Sequence, residues 1–206
     1  DPYSASKASA EIIINSYYKS FLQKNKKISL AVARAGNVIG GGDWSENRLI
    51  PDCIKAWSKN KNVNIRNPKS TRPWQHVLEA VGAYLYLGYL LNVNNKIDGE
   101  AFNFGPSYKK NYSTKEVLNN LVKYWPLKAK IKIQKKKQFV ESNLLKLNCM
   151  KAKRIGWKSI LSLQETLFLT TTWYKTFYFD KKNINNFSKG QIEKYFEKYK
   201  LKIKKI

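Results

Sequence analysis

The chain has 206 residues, 43% of them hydrophobic and 14% aromatic, and carries a formal charge of +25 at pH 7. That apolar and aromatic content excludes a disordered tail and is enough for one sizeable core. The longest apolar run, Val81 to Leu91, is too short to cross a bilayer.

Asp1-Pro2 predicts a helix start, with Asp as N-cap and Pro at the first helical position. The helix should run to about Leu22, where Asn25-Lys26-Lys27 breaks it. Its apolar residues Ile12, Ile13, Ile14, Tyr17, Tyr18, Phe21 and Leu22 cover more than one face. Such a helix is expected to be buried on two sides, by its own sheet and by a second copy in a homodimer. Ile28 to Arg34 reads as a buried parallel strand. A glycine-rich loop, Gly36 to Trp44, follows. It is not G-x-G-x-x-G and no helix follows directly, so it is read as a turn bringing backbone close to a substrate, not as a phosphate cradle.

Further on, the pattern predicts a helix over Leu49 to Ser58 that begins around Pro51, and a short strand over Val63 to Arg66. A helix is expected from Gln75 to Leu91, and a strand from Ala101 to Phe104. Ser113/Glu116, Ser162/Glu165 and Ser188/Gln191 have the spacing of a capping box at three more helix starts. The first opens a helix with Val117, Leu118, Leu121, Val122 and Trp125 on one face; the last carries Ile192, Tyr195, Phe196 and Tyr199 as a stripe. Lys135-Lys136-Lys137 reads as a loop. Helices alternating with single short strands favour an α/β fold.

The charge is nearly all lysine, arginine standing only at Arg34, Arg48, Arg66, Arg72 and Arg154. It reads as a solvated surface. A non-catalytic nucleic-acid binder is the alternative from another class, but the chain lacks an RNP, zinc-knuckle or Arg-rich motif. Cys53 and Cys149 have no CxxC spacing and His76 is the only histidine, so no metal site is expected. The cysteines read as buried hydrophobes in a reducing compartment, the cytoplasm.

The chemistry is carried by Tyr3-Ser4-Ala5-Ser6-Lys7, a Y-x-x-x-K that places phenol and ammonium on one helix face. A phenol is a poor base at neutral pH, and a neighbouring cation favours its phenolate. Alone this motif is weak. It is followed here by a strand and by Arg34-Ala35-Gly36-Asn37-Val38-Ile39-Gly40. In that order the chain resembles the extended short-chain dehydrogenase/reductase family. RAGNVIGGGDW (Arg34 to Trp44), IRNP (Ile65 to Pro68), RPWQHVL (Arg72 to Leu78), FNFGP (Phe102 to Pro106) and LKLNCMKAKRIGW (Leu145 to Trp157) look like its CDP-glucose 4,6-dehydratase branch. The likeness spans nearly the whole chain. It departs at Leu145 to Ala152, where the family has L-x-L-D-x-S-K-A, and at Gly156 to Ser159, where it has G-W-x-P.

The resemblance implies the C-terminal part of a Rossmann-type doubly wound sheet plus a smaller mixed α/β substrate-binding domain. Residues 1–44 would be a remnant of the NAD-binding domain. Residues 45–206 would be mainly substrate-binding, with about 75–106 returning to the Rossmann sheet. The cofactor would be NAD, and the substrate CDP-glucose or a related nucleotide sugar. Such an enzyme oxidises C4, eliminates water across C5 and C6, and returns the hydride to C6. Tyr3 would be the C4 base and Lys7 would orient the cofactor ribose. Asn37, Arg48, Arg66, Arg72, Asn103 and Glu141 would contact the substrate, with Arg72 on the diphosphate. His76 would be structural. The remaining acid/base residues and the dinucleotide fingerprint would lie in an N-terminal Rossmann half that is missing here, leaving this chain alone inactive. Another dehydratase or an epimerase of the same family is the alternative within it.

Overall fold

The computed structural model describes residues 1–25, 27–93, 95–108, 110–134, 144–180 and 183–203. Its elements in chain order are α1 (Pro2–Tyr17), β1 (Val32–Ala35), β2 (Asn37–Ile39), α2 (Leu49–Trp57), β3 (Val63–Ile65), β4 (Trp74–His76), α3 (Val77–Val93), β5 (Ala101–Phe104), α4 (Thr114–Val122), β6 (Ile131–Ile133), α5 (Met150–Arg154), α6 (Leu163–Lys175) and α7 (Ile184–Ile203). The strands form three parallel pairs, β1 with β5, β2 with β4 and β3 with β6. The fold is therefore mixed α/β with parallel strands. Among the described residues no helix is long and apolar enough to cross a membrane.

The N-cap at Asp1 forms as its side chain dictates, Oδ1 accepting from Ser4 N at 2.8 Å. Helical backbone continues past Tyr17 as a π-helical turn, Tyr18–Leu22. The expected two-sided burial of this helix does not occur within the chain. No residue of α1 is buried, and Ile12, Ile13, Tyr17 and Phe21 are exposed. The reason is the small surface of a two-stranded sheet. α1 is held mainly along one edge, where Arg34 Nε donates to Glu11 Oε1 at 2.5 Å and Tyr18 Oη donates to Asp98 Oδ2 at 3.0 Å. The guanidinium holds the Glu11 carboxyl below its usual range.

Strand β1 begins four residues later than the apolar run at Ile28 suggests. Leu30 is engaged by a turn instead: its N–H donates to Asp98 Oδ1 at 2.8 Å and its carbonyl accepts from Gly99 N at 2.7 Å. The helix expected from Gln75 begins at Val77, because Trp74, Gln75 and His76 pair with Asn37, Val38 and Ile39. Gln75 Nε2 also donates to Phe104 O at 3.1 Å, linking two of the strand pairs. Strand β6, not assigned from the sequence, pairs with β3 from Val63↔Ile131 to Ile65↔Ile133.

The capping boxes at Ser113/Glu116 and Ser162/Glu165 are both formed. The one expected at Ser188/Gln191 is not. α7 starts earlier, at Ile184, because Asn183 Oδ1 accepts from Asn185 N and Asn186 N at 3.0 and 3.2 Å. Ser188 Oγ donates to Ile184 O and accepts from Trp173 Nε1. Lys135-Lys136-Lys137 lies outside the described residues.

The main core joins α2, β3, β4, α4 and α6, with Ile54, Trp57, Leu118, Leu121, Leu167 and Tyr174 fully buried. Burial pushes the Cys53 thiol in this core up to about 12, while Cys149 is only half-buried. A second cluster packs Ala83 and Leu87 of α3 against Phe102, Phe104, Ala152 and Trp157. Glu79 is also buried. Its Oε1 accepts from Ile160 N and Leu161 N, and its Oε2 from Tyr195 Oη, so one carboxyl ties α3, the loop before α6 and α7 together.

Candidate functional site

Register places the site residues. β2 carries Asn37 opposite Trp74 of β4, and Arg72 stands two residues before Trp74. The Asn37 N–H donates to Pro73 O at 3.0 Å, which fixes the crossing. Gly36 permits it, since a Cβ there would meet Pro73 O at 2.4 Å.

Two adjoining cavities open along this crossing. The larger, about 850 Å³, is lined among others by Tyr3, Asn37, Asp43, Glu46, Asn47 and Arg48. The second, about 420 Å³, is lined among others by Asn37, Asp52, Asn64, Arg66, Arg72 and Thr114. They share Asn37, Asn47, Leu49 and Trp74 as lining residues, so they lie side by side as two lobes of the site. The structure thus brings Tyr3, Asn37, Arg48, Arg66 and Arg72 to two adjoining cavities from five separate places in the sequence, Asn37 lining both. Arg72 Nη1 donates to Thr71 O at 2.8 Å.

The wall formed by the loop after β2 is braced from behind. Trp44 packs against Trp173, Tyr174, Phe177 and Tyr178, and Tyr174 Oη donates to Asp43 O at 2.7 Å. Lys55 Nζ donates to Trp44 O at 2.6 Å. The glycines of this loop were expected to admit a substrate. Gly40 and Gly41 instead admit the protein's own side chains, a Cβ on Gly40 meeting Val77 Cγ1 at 2.6 Å and one on Gly41 meeting Trp173 Cγ at 2.0 Å, while Gly36 lines the larger cavity.

Tyr3 is 71% exposed at the cleft edge, and Lys7 Nζ lies 5.7 Å from its ring centre. Lys7 itself does not line the cleft. Asn103 faces a different recess, with Arg34, Asn148, Lys151 and Arg154, where its Nδ2 donates to Asn148 O at 3.1 Å. Glu141 lies outside the described residues. His76 is buried behind the site. Its Nδ1 accepts from Leu78 N at 3.3 Å, and burial lowers its pKa to about 4. Among the described residues no group of three or more His, Cys, Asp or Glu is placed to hold a metal ion.

The NAD dependent epimerase/dehydratase family matches residues 1–105, half of the chain. The chain belongs to this family. Over 180 residues it is 38% identical to the CDP-glucose 4,6-dehydratase of Salmonella typhimurium, covering 85% of this chain and 50% of that protein. It is 27% identical over 188 residues to the UDP-glucose 4-epimerase of Mycoplasma pneumoniae, covering 86% and 55%. Among solved structures, the dTDP-glucose 4,6-dehydratase of Bacillus anthracis in complex with NAD matches with a TM-score of 0.68 at 22% identity, covering 85% of this chain and 52% of that one. The UDP-glucuronic acid 4-epimerase of Bacillus cereus in complex with UDP-glucuronic acid and NAD matches with a TM-score of 0.71 at 21% identity, covering 86% and 54%. These last two likenesses show the fold. The chain spans about half the length of these relatives.

Several further residues of the two cavities carry no motif of their own in the sequence. Asp52, Asn47, Asn64 and Trp74 line them without having been singled out. A signal existed for Asp52, a lone carboxylate interrupting the apolar run Leu49-Ile50-Pro51 and Cys53-Ile54. The segments IRNP and RPWQHVL each contribute lining residues.

Proposed function

We propose that this chain forms the substrate side of a nucleotide-sugar 4,6-dehydratase that converts CDP-glucose to CDP-4-dehydro-6-deoxyglucose. The observation that carries this reading is the pair of adjoining cavities, one lined by Tyr3 and the other by Arg66 and Arg72, with Asn37 and Trp74 in both. Two guanidiniums suit a diphosphate through their planar donor forks. The 38% identity to a CDP-glucose 4,6-dehydratase supports the CDP-sugar branch.

In this reading the glycosyl unit lies beside Tyr3, whose phenolic oxygen takes the proton of the sugar C4 hydroxyl. Arg72 and Arg66, with Asn37, hold the diphosphate, and Arg48 stands on the Tyr3 side of it. Tyr3 and Lys7 stand one helical turn apart on an open helix face. That fits the ribose and nicotinamide side of NAD, with Lys7 donating to the ribose. Bound NAD would take up a hydride and return it. The sequence contains no G-x-G-x-x-G to cradle the dinucleotide phosphates, and this reading assigns that role to a separate cofactor-binding half.

The second reading is an epimerase of another nucleotide sugar, supported by the 27% identity to a UDP-glucose 4-epimerase. Product analysis decides. Joined to a cofactor-binding half and given NAD, the chain should turn CDP-glucose into the 4-keto-6-deoxy product, and Tyr3→Phe should slow this at least about 100-fold. A C4 epimer as product overturns the dehydratase reading, and an unslowed Tyr3→Phe enzyme removes Tyr3 from its role. The chain alone should show no turnover. We place the protein in the cytoplasm and expect it to pair with a second copy through the exposed apolar face of α1.

A further inference from the structure

We infer that Asp52 selects the nucleobase: its carboxylate accepts the exocyclic amine of cytosine and so favours CDP-linked over UDP- and dTDP-linked sugars. This deepens the nucleotide-sugar reading and rests on it.

The cleft has a direction. Tyr3 lines the larger cavity and not the second, so a sugar reacting beside Tyr3 sends its nucleoside end past Asn37 and Trp74 into the second cavity. There the donors are Arg66, Arg72 and side-chain amides of Asn64 and Asn67. Asp52 is the one carboxylate that lines this cavity among the described residues.

An acidic group in a cleft built for a diphosphate is a cost unless it meets a donor on the ligand. Asp52 makes no salt bridge with a described residue that would neutralise it. Its setting is instead graded: Lys55, Arg66 and the Asn47 backbone favour its charge, and Glu46 opposes it. Asp52 is an exposed residue, and partial desolvation at the cavity wall, the largest influence, raises its carboxyl above the ordinary range. A carboxylate partly stripped of water gains more from a donor than a fully solvated one.

Position comes from α2. Ile50, Pro51, Cys53, Ile54 and Trp57 are buried, which leaves Asp52 on the opposite side of the first turn, toward the cavity. That face is set by core packing, so the carboxylate is held without a side-chain partner.

The chemistry discriminates because an ionised carboxylate only accepts. Cytosine carries an amine donor at the 4-position, where uracil and thymine carry an oxygen acceptor. Asp52 can bond the first. Against the second it sets two acceptors face to face.

The test is calorimetric titration of the 206-residue chain with CDP, UDP and dTDP. The unaltered chain should bind CDP roughly tenfold more tightly than the other two. Asp52→Asn, whose amide can offer an N–H to the 4-oxygen, should level or invert this order, and Asp52→Ser should level it. Melting curves confirm that both variants fold. A preference for CDP that survives both substitutions overturns the role of Asp52 and leaves the nucleotide-sugar reading standing. So does a loss shared equally by CDP and UDP, which would mark a ribose contact. An unaltered chain that does not discriminate also overturns it. Failure to bind any nucleoside diphosphate overturns the nucleotide-sugar reading, and this inference with it.

Discussion

Tyr195 Oη donates to the buried Glu79 carboxyl at 3.2 Å, tying the last long helix to α3 across 116 positions of sequence. The same carboxyl accepts two backbone N–H groups, at 2.7 and 2.6 Å. Glu79→Ala leaves three buried donors without it and should cost about 3–5 kcal/mol. The melting temperature should fall by roughly 10 °C. Tyr195→Phe removes one of the three bonds and should cost about 1 kcal/mol. Thermal unfolding followed by circular dichroism checks both, and equal losses would show that the backbone contacts contribute nothing.

His76 makes stability depend on pH. Its folded pKa, lowered by burial to about 4, lies below the unfolded value of 6.5. The unfolded chain therefore binds the proton first. The contribution of neutral His76 is fully present above pH 6.5 and is lost as pH falls toward 4, by about 3 kcal/mol in all. His76→Asn keeps an acceptor for Leu78 N and removes the titration. Denaturant unfolding at several pH values should show a flatter profile for this variant across that window.

Arg72 should govern diphosphate binding. Arg72→Ala should weaken CDP affinity by about 10- to 100-fold, as loss of a charge-assisted bond implies. Arg72→Lys should recover only part of it, because the ammonium lacks the planar fork. Titration with CDP and with cytidine separates the effects: the cytidine affinity should change little.

Gly41 should tolerate no side chain. A methyl group there would meet Trp173 at 2.0 Å from Cγ, and Trp173 stacks on Phe177 at 5.7 Å. Gly41→Ala should cost about 2 kcal/mol by overpacking and alter the near-ultraviolet signal of the tryptophans. An unchanged melting curve would mean that the ring moves aside freely.

The open face of α1 should pair two copies. Sedimentation should report a dimer, and Ile13→Glu should shift it to monomer with little change in the melting of the monomeric fold. A chain that sediments as a monomer at all concentrations would leave that face for another partner.

Local signals were read correctly where a few neighbouring residues decide the outcome. Asp1-Pro2 opens α1, and Ser113/Glu116 and Ser162/Glu165 form their boxes, because each partner lies within one turn. Ser188 misled for the same reason in reverse: Asn183, five residues earlier, caps first. β4 was hidden in a helical pattern because its strand character comes from Asn37 to Ile39, which stand far off in sequence. The burial of α1 depended on how much sheet faces it, which no local pattern records.

By itself the sequence determined the residue types, their order and the family they mark, from Tyr3 and Lys7 to Arg72. Only the tertiary structure decided that Tyr3 and Arg72 line two adjoining cavities with Asn37 in both, that Asn103 faces another recess, and that Asp52 lines the same cavity as Arg66 and Arg72. Periodicity reports which face of an element is apolar. Which elements pair, and what their polar faces enclose, is settled by parallel register and core packing between segments distant in the chain.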